Sequence, residues 1–180
     1  MDASRELAPS INGVSRGNRS AVISDCGLYR YRLERHALSG AGAVAWIMVN
    51  PSTADANEDD ATIRKVVGFS ERMGAGWLIV GNVFGYRATD VKRLAGVYDP
   101  HGAENDAHLR RIMEDADTVI VGWGPTAKLP KLLRHRYMRV VRIADALGKR
   151  LMCFGTAQDG HPRHPLMLAY DTPLIEWVRP

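Results

Sequence analysis

Hydrophobic and polar positions along the chain predict an alternation of buried strands and amphipathic helices. Apolar runs with the length and flanking glycines of buried strands cover residues 43–49, 77–84, 118–123 and 150–155. Between these runs, apolar residues recur every three or four positions, which predicts helices over 62–73, 103–116 and 129–147. Strands that alternate with helices form parallel sheets covered on both faces. The predicted fold class is α/β, a three-layer α/β/α arrangement with a short, mostly parallel four-stranded central sheet.

The N-terminal part of the chain shows other patterns. Residues 1–20 are rich in Ser, Asn, Gly and Arg without any period, which predicts a flexible tail. Residues 27–33 alternate apolar and basic side chains, as in an N-terminal edge strand with one solvated face. Because no repeat or linker divides the remainder, we expect residues 21–180 to form a single α/β domain.

Composition and charge limit the classes of protein without selecting one. The 180 residues are 46% hydrophobic and carry a net charge of +4, which permits a nucleic-acid or nucleotide partner without demanding one. Cys26 and Cys153 have no paired spacing, which is typical of reduced thiols in a cytoplasmic protein. No apolar run approaches the ~20 residues that a membrane helix needs, so we expect no membrane association. The oligomeric state is left open.

The predicted topology brings polar loops together. Right-handed crossovers place the carboxyl ends of parallel strands at one edge of the sheet, where ligands bind in α/β proteins. Loops 50–60, 82–89, 123–126 and 156–164 should therefore meet there.

The first loop begins with Asn50-Pro51 directly after a buried strand. Asn50 or Asp55 is the candidate for positioning water, while the hydroxyls of Ser52 and Thr53 are candidate substrate ligands. Two further acids, Asp59 and Asp60, precede a predicted helix and are expected mainly to cap it. An alternative is that Asp55, Asp59 and Asp60 surround a divalent ion in a small-molecule hydrolase.

The second and third loops offer groups that could bind a base and a phosphate. Asn82 is an amide inside an apolar strand, suited to reading a ligand edge. Phe84 or Tyr86 could stack on a planar base, with the protein core as the alternative position. Arg87 is a candidate phosphate ligand, and Trp123 between two glycines is a candidate pocket wall.

The last loop contains His161-Pro162-Arg163-His164-Pro165. His164 on this stiff segment could donate a hydrogen bond to a developing anion, and a plain surface histidine is the alternative. The prolines argue against a helical two-histidine metal site. The chain has no phosphate-binding glycine motif, no dinucleotide motif and no nucleophile elbow, so no cofactor and no metal are predicted.

Five segments together resemble the family of domain of unknown function 1643, over about residues 28–177. They are Asn50–Asp55, Asp59–Arg64, Asn82–Thr89, Trp123-Gly124 and His164–Leu166.

The order of parts is also similar, more distantly, to the uracil-DNA glycosylase superfamily. That resemblance implies a short parallel sheet between helices, a water-positioning Asn50 or Asp55, and a base-reading Asn82. It also implies an aromatic stack on Phe84 or Tyr86 and a leaving-group contact from His164-Pro165.

The sequence therefore predicts a glycosylase-like hydrolase or binder of a nucleobase in nucleic acid or nucleotide. In this hypothesis Arg64 and Arg87 contact phosphate. The alternatives are the metal-dependent hydrolase and a non-catalytic nucleotide-binding module.

Overall fold

A computed structural model describes residues 18–36 and 38–180. Its strands are β1 Arg19–Ile23, β2 Arg30–His36, β3 Ala43–Met48, β4 Trp77–Asn82, β5 Thr118–Val121, β6 Leu151–Cys153 and β7 Ile175–Glu176. They form one mixed sheet in the order β1-β2-β4-β3-β5-β6-β7. The α-helices within the described part are α1 Ala61–Arg72, α2 Asn105–Asp115 and α3 Tyr137–Ala146.

The centre of the sheet is parallel. Strand β3 pairs in parallel with both β4 and β5, and β5 pairs in parallel with β6. The four predicted central strands are parallel, but the sheet is larger than predicted: it has seven strands, and β1, β2 and β7 pair antiparallel at its two sides. The carboxyl ends of the four parallel strands therefore lie at one edge of the sheet, as the topology requires.

Helices cover this sheet on both faces. Val44, Trp46 and Met48 of β3 join a hydrophobic cluster that includes residues of α1. The alternate residues Ala45 and Ile47 join a second cluster, which includes residues of α2 and α3. This alternation follows from the two-residue side-chain period of a strand, and it explains why β3 reads as a continuous apolar run.

The third helix is shorter than predicted. In place of a helix over 129–147, two 3₁₀ turns (Thr126–Lys128 and Lys131–Leu133) precede α3. Pro130 lies between them, but it falls in the first turn of the predicted helix, where a proline is tolerated, and so does not account for the late start of α3. The predicted helix is confirmed only in its second half.

The N-terminal strand β2 is not an edge strand, which corrects the prediction. Strand β1 pairs with its outer side and β4 with its inner side, both antiparallel. Strand β1 begins at Arg19, so most of the predicted tail, residues 1–17, lies outside the described residues.

A bulge in β2 changes which side chains face the same way. Ile23 pairs with Arg30 and Val22 with Arg32, so Tyr31 is an extra residue. Arg30 and Arg35 consequently lie on one face, and both are buried. The alternation that predicted a solvated basic face fails at this bulge.

No helix in residues 18–36 and 38–180 is long and apolar enough to cross a membrane.

Candidate functional site

A cleft of about 500 Å³ opens at the carboxyl edge of the parallel strands. The loop after β3 contributes Asn50, Ser52 and Asp60 to its wall, the loop after β4 contributes Thr89, and the loop after β6 contributes His164. Three of the four loops expected at this edge thus line one cleft. We call it the Asn50–His164 cleft.

Asn50 ties the first two loops together. Its Nδ2 donates to the carbonyl of Ala88 at 2.6 Å and to that of Pro51 at 3.0 Å. In return, the backbone N–H of Ala88 donates to the Pro51 carbonyl at 2.8 Å. The Asn50 Oδ1 accepts no hydrogen bond within the described chain, so it is available to a water or a ligand in the cleft.

His164 is held in one tautomer by its own loop. Its Nδ1 accepts a hydrogen bond from the Leu166 backbone N–H at 3.3 Å, which caps the 3₁₀ turn Pro165–Met167. Burial first, and then the charge of Lys128, lower the pKa of His164 below its ordinary value of 6.5. The neutral ring then carries its proton on Nε2, as a hydrogen-bond donor.

The loop after β5 supports the His164 segment from behind. The Gly124 N–H donates to the Pro162 carbonyl at 3.0 Å. A Cβ placed on Gly122 would lie 3.2 Å from Pro165 Cδ, so the two segments are in tight contact there. The glycines of this loop therefore act by allowing close approach of the chain.

Asp60 has two roles. Its Oδ1 accepts the Ile63 backbone N–H at 2.8 Å, which confirms the predicted cap of α1. It also lines the cleft together with Thr62, and its charge opposes the lowering of the His164 pKa. Sequence reasoning treated Asp60 as mainly a cap, because only the fold brings it near His164.

Asp55 and Asp59 have structural partners away from the cleft wall. Asp55 Oδ1 accepts the N–H groups of Asn57 and Glu58 at 2.8 and 3.0 Å, and these two hydrogen bonds, in that order, are the main causes of its lowered pKa. Asp59 pairs with Arg19 and Arg35 instead of capping α1. Over the described ranges, no group of three His, Cys, Asp or Glu residues is placed to hold a metal ion.

Three candidate ligand contacts are buried in the protein instead. Asn82 is 1% exposed and its Oδ1 accepts from Arg30 Nη2 at 3.3 Å. Phe84 is fully buried and stacks on His101 with ring centroids 5.5 Å apart. Trp123 donates from Nε1 to His161 Nδ1 at 3.4 Å. None of the three lines the Asn50–His164 cleft, so a ligand there would not touch them.

Tyr86 and Arg64 also lie outside the cleft wall. Tyr86 is half-buried and meets Tyr29 edge to face at 5.7 Å. Arg64 is exposed on α1 and donates to the Asp59 carbonyl. Neither contact is directed at the cleft.

A second depression of about 350 Å³ adjoins the first. Ser52, Ala88 and Thr89 belong to both, so the two are continuous. Thr53, Arg87 and Arg93 line the second depression and do not line the first. Arg93 lies on the 3₁₀ helix Val91–Gly96 and was missed by sequence reasoning, because its position depends on that short helix. We call this the Arg87–Arg93 depression.

The buried Arg30 was also read wrongly from sequence. Its Nη1 donates to the Ala54 carbonyl at 2.6 Å, and its Nη2 to Asn82. Arg35 donates to the next carbonyl, that of Asp55, at 2.7 Å. Burial lowers the Arg30 pKa to about 10, so the side chain still carries its charge at neutral pH. These arginines attach the first loop to β2.

Comparison with known proteins identifies the family. Residues 30–166 match the family described as "Protein of unknown function (DUF1643)", and the chain belongs to it. No curated protein and no solved structure matches the chain.

Proposed function

We propose that this chain binds a nucleobase-bearing ligand in the Asn50–His164 cleft and hydrolyses the bond between base and sugar. The observation that carries the proposal is that Asn50 and His164, from loops after different strands, line one cleft. Each is fixed by a backbone hydrogen bond of its own loop or its neighbour. Such preorganised polar groups are what catalysis requires.

The two residues have complementary chemistry. Asn50 Oδ1 accepts a hydrogen bond from a water that attacks the sugar carbon. Neutral His164 donates from Nε2 to the base as the carbon–nitrogen bond breaks and the base takes the electron pair. The proposed acceptor of the proton that the water loses is Asp60, whose second carboxylate oxygen is not used by the helix cap.

A glycosylase-like fold is part of this proposal. The parallel strands between helices, and the positions of Asn50 and His164-Pro165, support it. The base-reading and stacking roles first assigned to Asn82 and Phe84 receive no support from their burial. Ser52, Thr62 and Thr89 line the cleft, and their hydroxyls are proposed to contact the base in place of Asn82 and Phe84. A base in duplex DNA would have to be flipped out to reach them.

The test is release of free base from nucleosides, nucleotides and oligonucleotides with ordinary and modified bases. The Asn50→Ala and His164→Ala variants should lose about 10²–10⁴-fold in rate. The matched controls are Asn57→Ala in the same loop and His135→Ala, both exposed side chains away from the cleft. An absence of both base release and ligand binding across the panel would rule the proposal out.

A non-catalytic nucleotide-binding module is the second candidate. It is favoured by the use of the Asp55 carboxylate in a turn, which removes one of the two residues first assigned to water. This candidate predicts nucleotide binding in the cleft, with no base release at any pH.

A further inference from the structure

We propose that the Arg87–Arg93 depression binds a phosphate group of the same ligand whose base lies in the Asn50–His164 cleft. This inference rests on the proposed function and names its substrate class: a phosphorylated nucleoside, either free or within a nucleic-acid strand.

The first support is the charge of the depression. Arg87 and Arg93 both line it, and neither forms an ion pair with any carboxylate of residues 18–36 and 38–180. Arg87 makes only long contacts of 3.4 Å to the carbonyls of Gly27 and Thr53. The charge of Arg87 contributes to the lowered pKa of Asp55, but the Oδ1 of that carboxylate accepts two backbone N–H groups and forms no ion pair with Arg87.

The second support is the supply of neutral donors. Ser52, Thr53 and Thr89 line the depression, and each carries a hydroxyl group. Within the part of the chain that the structure covers, the backbone N–H groups of these three residues donate to no protein acceptor. Free N–H groups and hydroxyls beside guanidinium groups form the usual environment of a bound phosphate.

The third support is the connection between the two sites. Ser52, Ala88 and Thr89 line both, so one continuous surface leads from the arginines to His164. Asn50 holds Ala88 in place at 2.6 Å. A ligand with an anionic end and a planar polar end therefore binds in one orientation, with the anion at the arginines and the planar end beside His164.

Calorimetric titration of a nucleoside and its 5′-monophosphate against the full chain tests the inference. The phosphate should raise affinity by roughly ten- to a hundredfold, as expected for a charge-assisted contact. Arg87→Gln and Arg93→Gln should each remove most of that gain and leave nucleoside affinity unchanged. Arg142→Gln is the matched control, because Arg142 is exposed and lines a separate depression of about 390 Å³ together with Arg110 and Arg139.

Short single-stranded oligonucleotides identify the source of the phosphate. Tighter binding of the oligonucleotide than of the mononucleotide, with an Arg87-dependent salt slope, indicates a strand. The reverse order indicates a free nucleotide. Equal affinity for nucleoside and nucleotide, or equal losses in Arg142→Gln and Arg87→Gln, would overturn the inference.

Inorganic phosphate separates this inference from the proposed function. Arg87-dependent binding of phosphate, with no nucleoside binding or base release, would support the anion site and refute the base site. Nucleoside binding without any binding of inorganic phosphate, and without any gain in affinity from the 5′-phosphate, would support the base site and refute the anion site. Thermal melting of each variant checks that it is folded.

Discussion

The side-chain amide of Asn50 donates to the backbone carbonyl of Ala88 at 2.6 Å, and this bond joins the loops that follow two neighbouring parallel strands. The reciprocal bond from the Ala88 N–H to the Pro51 carbonyl closes a small ring of contacts. The cleft wall is therefore anchored to the sheet on both sides, although it consists of loops.

Replacement of Asn50 by Asp tests this anchor. The carboxylate has no N–H to donate and would face the Ala88 and Pro51 carbonyls, so we expect a loss of about 1–3 kcal/mol in the free energy of unfolding. Asn50→Ala should cost less, because it removes the bond without adding repulsion. Denaturant unfolding measures both. The exposed Asn57→Asp serves as control, and an equal effect there would contradict the assignment.

Asn82 offers a test between a structural and a ligand-reading role. Asn82→Asp would place a carboxylate beside the buried Arg30 and would remove the Nδ2 group, which has no partner among the described residues. We expect stability near or above that of the original chain at neutral pH. Asn82→Leu should cost about 1.5–3 kcal/mol, because a hydrogen bond to a charged group is lost.

The pH dependence of Asn82→Asp gives its control. The Arg30 charge should hold the pKa of the introduced carboxylate below its ordinary value, so its stabilising effect should disappear as the pH falls through that pKa. If both Asn82 variants instead abolish ligand binding with unchanged stability, the residue reads a ligand.

His164 should make the protein sensitive to acid. Its pKa is lowered in the folded state, so the unfolded chain takes up the proton first as the pH falls. The contribution of neutral His164 is complete above about pH 6.5, and it is lost as the pH falls from there towards the lowered pKa. We expect His164→Asn, which can still accept the Leu166 N–H, to lose less stability between pH 7 and pH 5.

Lys128 provides an independent check, because its charge helps to lower the His164 pKa. Lys128→Met should raise that pKa, and NMR titration of the histidine ring protons should detect the shift. A titration unchanged by Lys128→Met would contradict the electrostatic coupling.

Gly122 controls how closely the last loop approaches the sheet. Gly122→Ala would place a Cβ 3.2 Å from Pro165 Cδ, so the His164–Pro165 segment must move by a few tenths of an ångström. We expect a cost of about 1 kcal/mol, together with weaker ligand binding in the cleft. Gly96→Ala, at a glycine with open space around it, should leave both unchanged.

The sequence was sufficient for the features that depend on local period and topology. The buried runs predicted β3 to β6, and the shared edge of those strands predicted that Asn50 and His164 would approach one another. It was not sufficient where a side chain's partner comes from a distant element. Asn82 and Phe84 have the residue types of a base-binding site, yet Arg30 and His101 occupy them.

Burial of charge was the other property that pattern reasoning missed. Arg30 reads as a solvated position in an alternating strand, and only the bulge at Tyr31 turns it inward with Arg35. Arg93 and Asp60 are part of the two sites only because the fold brings them there: Arg93 lies on the 3₁₀ helix Val91–Gly96, and Asp60 lies at the start of α1 on the wall of the cleft.

The extra residue at Tyr31 makes the length of β2 as important as its composition. Arg30 and Arg35 are five positions apart, so in a β2 of the same length without the bulge one of the two arginines would point to the opposite side of the sheet. Deletion of Tyr31 would instead leave them four positions apart and on the same face. Without the bulge, the carbonyl of Ala54 or that of Asp55 would lose its arginine, and the first loop would be released at one end. A chain with the same number of residues in β2 but a regular pairing of β1 with β2 should therefore hold its first loop by other means.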